Sequence, residues 1–350
     1  MTFSLPPLGI SLVRSLSDRL SDCDVRECAA AMVKNGLRDA GYEYVIIPDT
    51  WCREKRCYKT DSLVCDSEKF PEGLAATADY VHSLGLKLGV AVTLGARSAT
   101  NRPGIFDHEW ADVAYYDAAG VDYISCDLTN LPSLSGIQTP VRRMGMAIRK
   151  AERKIYFALY TSEDTHLWMR SAGVNSYCLR SFADAAGAAE LKAETAGYSA
   201  DFCFESCGDI VWSDTESLKT QLVCASIMSS PIIADCDVRR LSDKELAILK
   251  NPLITGICRD EEARPARLLG DGVYCKFLTD CEYAVAFVNN TDETVRRSFF
   301  TYDFGLTWNA GYYCEVSDIF TDGVTDFSDA LEAELPAGAS RMYLMRLIER

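Results

Sequence analysis

A chain of 350 residues with 48% hydrophobic and 25% charged side chains can bury a large core and is expected to divide into a larger and a smaller domain. Its formal net charge of -15 argues against nucleic acid and anionic membrane surfaces as partners. No apolar run reaches the roughly 18 residues that span a bilayer. Met1 to Ile10 shows no basic region followed by a long apolar stretch, so no signal peptide is expected there.

Helical and strand patterns alternate over the first 260 or so residues. A first strand lies near Leu8 to Val13. Residues 24–36 place Val25, Cys28, Met32 and Val33 on one helical face, and the apolar run Tyr44-Val45-Ile46-Ile47 follows. Pro71 opens a helix to Ser83, closed by Gly85 before the strand Leu86 to Val92. A helix over 108–119 ends at Gly120 and leads into the strand Val121 to Asp127. Helix 140–152 precedes Ile155 to Leu159. A strand at Asn175 to Arg180 precedes helix 184–196, ended by Gly197, and a short strand near Phe202 to Phe204. Helix 214–229 precedes Pro231-Ile232-Ile233-Ala234. Eight such units predict an α/β fold of the (β/α)₈ TIM barrel type rather than an open doubly wound sheet, and no G-x-G-x-x-G follows a strand. Beyond residue 260, short runs at 273–277, 283–289, 295–300, 312–316 and 341–347 read as a C-terminal antiparallel β domain. The expected division is 1–260 and 261–350.

The 15 cysteines are scattered through these elements rather than framing a small loop-rich fold. Cys126, Cys178, Cys203 and Cys224 read as small buried hydrophobes. Cys52-x4-Cys57 and Cys203-x3-Cys207 invite a metal, but His82, His108 and His166 are the only histidines and none stands at ligand spacing, so neither metal nor cofactor is expected.

Function in such a barrel collects at the carboxyl ends of the strands. There stand Asp49, Asp127, Glu163, Arg180, Asp184 and Asp201. One strand-end acid is commonly a helix cap or ion pair. Five acids and an arginine at one barrel mouth instead suit acid/base and nucleophilic work on a glycosidic bond, and carboxylates at that density raise one another's pKa.

Longer motifs run through the chain: Pro6-Pro7-Leu8-Gly9, Gly36-Leu37-Arg38-Asp39-Ala40-Gly41-Tyr42, Lys69-Phe70-Pro71-Glu72-Gly73-Leu74, Ala78 to Gly89, Gly120-Val121-Asp122-Tyr123 and Ala225 to Pro231. With these the chain resembles glycoside hydrolase family 27, the α-galactosidase and α-N-acetylgalactosaminidase family, as a divergent member. The resemblance implies a catalytic barrel with a C-terminal β-sandwich and a retaining mechanism. Asp127 takes the position of the nucleophile and Asp184 that of the general acid/base. Glu163 and Arg180 are similar to the residues that hold the sugar 2-substituent. Asp49 resembles one of two adjacent acids on the ring hydroxyls, beside Trp51, and Asp201 matches a further sugar-contacting acid.

Several pocket positions depart from the family pattern. The tryptophan-rich opening reads Ile10-Ser11-Leu12-Val13, and the acidic pair reads Pro48-Asp49. The strand-three tyrosine is Ala91, and the lysine before the nucleophile is Ser125. The resemblance also places Ala99 with Thr129, and Ser162 with Ser176, where the family has disulfides. Paired loss fits a reducing compartment, so the cytoplasm is expected. The expectation is a retaining exo-glycosidase of the α-galactosidase type acting on a small carbohydrate. A β-L-arabinopyranoside is the variant substrate, and a sugar-binding barrel with weakened catalysis is the alternative. Assembly as a homo-oligomer stays open.

Overall fold

The structure, a computed structural model, describes residues 5–132, 136–161, 169, 171–178, 204–205, 209–262, 264–305, 311–321, 323–327 and 330–349. Eight strands form one parallel sheet: β1 (Leu8–Ser11), β2 (Tyr44–Ile47), β3 (Lys87–Thr93), β4 (Val121–Asp127), β5 (Tyr156–Tyr160), β6 (Ser176–Cys178), β7 (Phe204–Glu205) and β8 (Ile232–Asp235). Their order is β7-β6-β5-β4-β3-β2-β1-β8. Just past β7, Ile210 bridges Ala234 of β8 in parallel, so the two ends of the sheet meet and the barrel closes.

Between the strands lie α1 (Asp22–Lys34), α2 (Gly73–Ser83), α3 (Glu109–Ala118), α4 (Gln138–Lys150) and α5 (Thr215–Ile227), with α6 (Asp243–Leu249) and α7 (Pro252–Cys258) after β8. Local chemistry sets their ends. Ser21 caps α1 reciprocally with Asp24, and Asp214 caps α5 reciprocally with Ser217. Gly85 and Gly120, each two residues past the ends of α2 and α3, take left-handed φ of 73° and 82°, which turns the chain into the next strand without a Cβ penalty. Pro71 does not open α2: the helix begins at Gly73, with Glu72 as its cap. Helix 184–196 and its closing Gly197 lie outside the described residues, as do Cys203 and Cys207.

Inside the barrel, Tyr44, Ile46, Tyr123, Tyr156, Ala158 and Ile233 make a packed layer. Tyr123 and Tyr156 stack with ring centroids 5.1 Å apart, and Tyr44 leans on Tyr123 at 5.2 Å. Three tyrosines fit one ring because the adjoining strands carry glycine there. A Cβ on Gly9 would stand 2.9 Å from Tyr44 Cβ, and one on Gly89 would stand 3.0 Å from Tyr123 Cβ. This layer is the floor on which the mouth is built.

The C-terminal strands are β9 (Arg267–Gly270), β10 (Val273–Phe277), β11 (Tyr283–Val288), β12 (Val295–Phe300), β13 (Tyr312–Asp318), β14 (Val324–Phe327), β15 (Ala330–Leu335) and β16 (Ser340–Glu349). They form a six-stranded antiparallel sheet, in the order β14-β13-β16-β11-β10-β9, and a two-stranded sheet β12-β15. Val273, Val285, Phe287, Val316 and Met345 of the first pack against Phe299, Leu331 and Leu335 of the second, giving a β-sandwich. Strands β9 (Arg267–Gly270), β14 (Val324–Phe327) and β15 (Ala330–Leu335) add to the runs expected from sequence. The six-stranded sheet lies on α5, where Lys276 Nζ, on β10 (Val273–Phe277), donates to Ser229 Oγ at 2.7 Å and to the carbonyl of Ile257.

Candidate active site

Strand β4 is buried from Val121 to Cys126, and Asp127 emerges at its carboxyl end. Its two aspartates have opposite settings. Asp122, at the base, is consumed by His82 Nε2 (2.7 Å), Arg153 Nη2 (2.6 Å) and the Leu88 N–H (3.2 Å), and so joins strand to helix. Among the described residues, Asp127 accepts only from its own turn. The Thr129 N–H donates to Oδ1 and Thr129 Oγ1 to Oδ2, both at 3.0 Å. These bonds fix the carboxylate plane while each oxygen keeps acceptor capacity. Thr129 is held in turn, its carbonyl accepting from Thr93 Oγ1 at 2.8 Å. Gly95 makes this approach feasible, since a Cβ there would stand 1.9 Å from the Thr129 carbonyl oxygen.

Asp49 opens the turn after β2 and shares a cavity of about 120 Å³ with Asp127, walled also by Val13, Pro48, Ala91 and Thr100. A tight hairpin, closed by a bridge from Arg97 to Pro103, reaches over the space beside Pro48 and Ala91 and brings Ser98, Ala99 and Thr100 to the wall. Thr100 Oγ1 donates to Asp49 Oδ1 at 2.7 Å, whereas Oδ2 is buried and has no hydrogen-bond partner among the described residues. Burial pushes the Asp49 carboxyl above its ordinary range and the charge of Asp127 adds to the rise, against hydrogen bonds from Ser98 and Thr100 and the pull of Arg102. Asp49 therefore senses the charge of Asp127 across one cavity.

Trp51 stands elsewhere. Its ring is 1% exposed and stacks on Tyr115 of α3 at 5.7 Å, edge-on to Tyr116, so it is a core side chain rather than a wall of the cavity. Asp184, Glu163, Arg180 and Asp201 lie outside the described residues. Among the described residues no group of three or more His, Cys, Asp or Glu side chains is arranged to hold a metal, and the thirteen described cysteines are free thiols.

Two acids at the mouth were not singled out from sequence. Asp235 ends β8 and accepts from Ser11 Oγ (2.6 Å) and from the N–H groups of Arg14 (3.0 Å) and Ser15 (2.9 Å). Asp209, between β7 and the Ile210 bridge, accepts from Tyr160 Oη at 2.5 Å. Burial pushes its carboxyl up to about 7, with a contribution from Asp235. A signal for Asp235 was available, because Pro231-Ile232-Ile233-Ala234-Asp235 repeats the pattern of an apolar strand ending in an acid. No such signal marks Asp209, since β7 is only two residues long.

The family model described as alpha galactosidase A matches residues 15–186. The chain is 28% identical over 340 residues to alpha-galactosidase A of Cellvibrio japonicus, covering 88% of this chain and 80% of that protein. It is 28% identical over 362 residues to the alpha-galactosidase of Cyamopsis tetragonoloba, covering 97% and 86%. Among solved structures, alpha-galactosidase I of Mortierella vinacea superposes with a TM-score of 0.86 at 20% identity, over 98% of this chain and 97% of that one. A family 27 β-L-arabinopyranosidase of Geobacillus stearothermophilus superposes with a TM-score of 0.78 at 15% identity, over 98% and 96%. At these identities the structural likeness bears on the fold: a (β/α)₈ barrel followed by a β-sandwich.

Proposed function

We propose, from the premise that this chain belongs to the α-galactosidase family (glycoside hydrolase family 27) and is a glycosidase, that it is a retaining exo-hydrolase whose nucleophile is Asp127. The observation that carries this reading is the setting of Asp127: a strand-end carboxylate held in plane by Thr129 and opening on a cavity shared with Asp49. A structural acid at that position would be consumed by cross-element partners, as Asp122 is.

In the proposed reaction an Asp127 oxygen attacks the anomeric carbon while Asp184 gives its proton to the departing oxygen. The glycosyl-aspartate ester is then opened by water, whose proton returns to Asp184. This needs the two carboxyl groups about 5–5.5 Å apart. Asp49 binds ring hydroxyls through its unpartnered oxygen, and Glu163, Arg180 and Asp201 complete the sugar contacts. Residues 1–260 form the catalytic domain in this reading. The free thiols among the described cysteines accord with a reducing compartment, and cytoplasmic residence is part of the proposal.

A terminal galactosyl residue is the first candidate substrate. The hairpin closed over Pro48 favours a second, because Ser98, Ala99 and Thr100 crowd the cavity beside the position where an acid is missing. A pentopyranoside such as a β-L-arabinopyranoside carries no hydroxymethyl arm and needs less room there.

Nitrophenyl glycosides provide the test. Turnover of the preferred glycoside is expected to fall on the order of 10⁴- to 10⁶-fold in Asp127→Asn, the scale on which an enzyme loses its nucleophile. A 2-fluoro sugar with a good leaving group is expected to label Asp127. Label on another residue, or undiminished turnover in Asp127→Asn, would overturn the assignment. The ratio of kcat/KM for arabinopyranoside over galactoside decides between the two sugars.

A further inference from the structure

We propose that Cys52 and Cys65 form an oxidation-sensitive thiol pair, which hydrogen peroxide joins into a disulfide that ties the turn carrying Asp49 to the segment before α2. The inference does not depend on the glycosidase reading of the mouth and concerns two residues outside the site assigned above.

Backbone geometry comes first. Cys52 stands opposite Cys65 in an antiparallel bridge. The Arg53 N–H donates to the Val64 carbonyl at 2.8 Å, and the Asp66 N–H to the Trp51 carbonyl at 2.9 Å. Both bonds join neighbours of the two cysteines, so the cysteines themselves are a non-hydrogen-bonded pair. In such a pair the Cα atoms approach to about 4.5 Å and both side chains leave the ribbon on one face. Disulfides span Cα separations of about 4.4–6.8 Å, so this pairing admits one without moving the backbone. Tyr115 of α3 reports the shared face: burial pushes its phenol up to about 12, and both sulfurs add to the rise. No other two described cysteines face one another across a ladder.

Present partners come second. Cys52 Sγ donates to the Asp49 carbonyl at 3.2 Å, and Cys65 Sγ to the Trp51 and Phe70 carbonyls at 3.8 and 4.0 Å. Thiols are weak donors, so rotation about each Cα–Cβ bond exchanges these contacts for an S–S bond at little cost. Cys52 is 2% exposed, whereas Cys65 is partly exposed and is the sulfur an oxidant meets first. Burial pushes Cys65 up and Cys52 up to about 12, so both rest as thiols near neutrality.

In the step itself Cys65 Sγ, once deprotonated, attacks one peroxide oxygen. The O–O bond breaks, a sulfenic acid forms on Cys65, and the other oxygen takes up a proton and leaves as water. Cys52 Sγ then attacks the Cys65 sulfur, the S–O bond breaks and a second water departs. The two sulfurs give up two electrons, and peroxide is reduced to water. Closure withdraws the thiol proton from the Asp49 carbonyl and fixes the base of the loop 53–64, whose Arg56 already grips Asp112.

The test is peptide mapping of the full chain after hydrogen peroxide, with the remaining thiols alkylated by iodoacetamide in denaturant. A peptide linked through Cys52 and Cys65 is expected in the parent and in Cys57→Ser, which removes the third thiol of that segment. The melting temperature is expected to rise by several degrees, and dithiothreitol to reverse both changes. Cys65→Ser, which leaves Cys52 in the core, is expected to show neither. Cys52 found alkylated after peroxide, whatever the state of Cys65, would overturn the inference, as would linkage of either residue to another cysteine. The same rise in melting temperature in Cys65→Ser would overturn it too. Glycoside turnover by the parent and by Asp127→Asn bears on the nucleophile alone, so the two readings fail separately.

Discussion

Residues with the same formal charge do very different work here, and burial with partner count separates them. Asp112 is 1% exposed and receives both terminal nitrogens of Arg56, at 2.7 and 2.5 Å, while Arg56 also donates to the Gly104 carbonyl at 2.8 Å. The pair clamps the loop after Trp51 onto α3. Asp112→Ala strands a guanidinium with only the backbone carbonyls of Asp61 and Gly104, and urea denaturation is expected to show a loss of about 3–5 kcal/mol. Replacing both partners with apolar side chains of similar volume is expected to recover most of it. Lys276 is the opposite case, a buried ammonium whose partners among the described residues are a hydroxyl and backbone carbonyls. Burial brings its pKa down to about 8, whereas an unfolded lysine keeps its proton to about 10.4. Between those values the unfolded chain binds more protons, so this residue adds stability as pH rises from about 8 to 10. In Lys276→Met that increment disappears, and denaturation of both proteins at pH 7 and pH 10 is expected to show it as a difference between them. Neither behaviour could be read from residue type. Asp127 and Asp49 were conspicuous as acids at the end of an apolar strand; Asp209 stands four residues past β7, the short strand expected near Phe202 to Phe204, and its partner lies 49 positions away.

At the level of elements, the sequence marks what local chemistry decides. The reciprocal caps Ser21–Asp24 and Asp214–Ser217 put the starts of α1 and α5 within two residues of expectation. Pro71 misled because a proline fits the turn before a helix as well as its first position. Strands β14 and β15 escaped because they belong to the sandwich edge and its small second sheet, where polar residues interrupt the pattern: Val324-Thr325-Asp326-Phe327 carries little hydrophobic signal. The 97–103 hairpin was also invisible, since its role depends on the space over Pro48 and Ala91. Close contact between loops gives a direct test. Gly95→Ala would drive a methyl into the Thr129 carbonyl, and Thr129 positions Asp127. We expect kcat to fall about 10²-fold, the usual cost of displacing a reacting group by an ångström. Circular dichroism is expected to stay near parent, which separates displacement from unfolding.

Across the whole molecule, the barrel was legible because repetition is robust to error: misplacing one boundary does not change a tally of eight units. The C-terminal sandwich was legible from its change of texture. What the tally could not give was which side chains meet over the tyrosine floor, because that depends on strand register. The way the ring closes has a consequence for biosynthesis. Strand β1 is flanked by β2 on one side and β8 on the other, and the Ser11–Asp235 bond spans 224 positions. A ribosome extending the chain at about 5–20 residues per second must deliver β8 before the apolar edge Leu8–Ser11 finds its second neighbour. For that interval the nascent chain carries an open parallel sheet with an unpaired hydrophobic border. Chaperone capture or rapid completion of synthesis would protect it, and the earliest-made strand is the one that stays sticky longest.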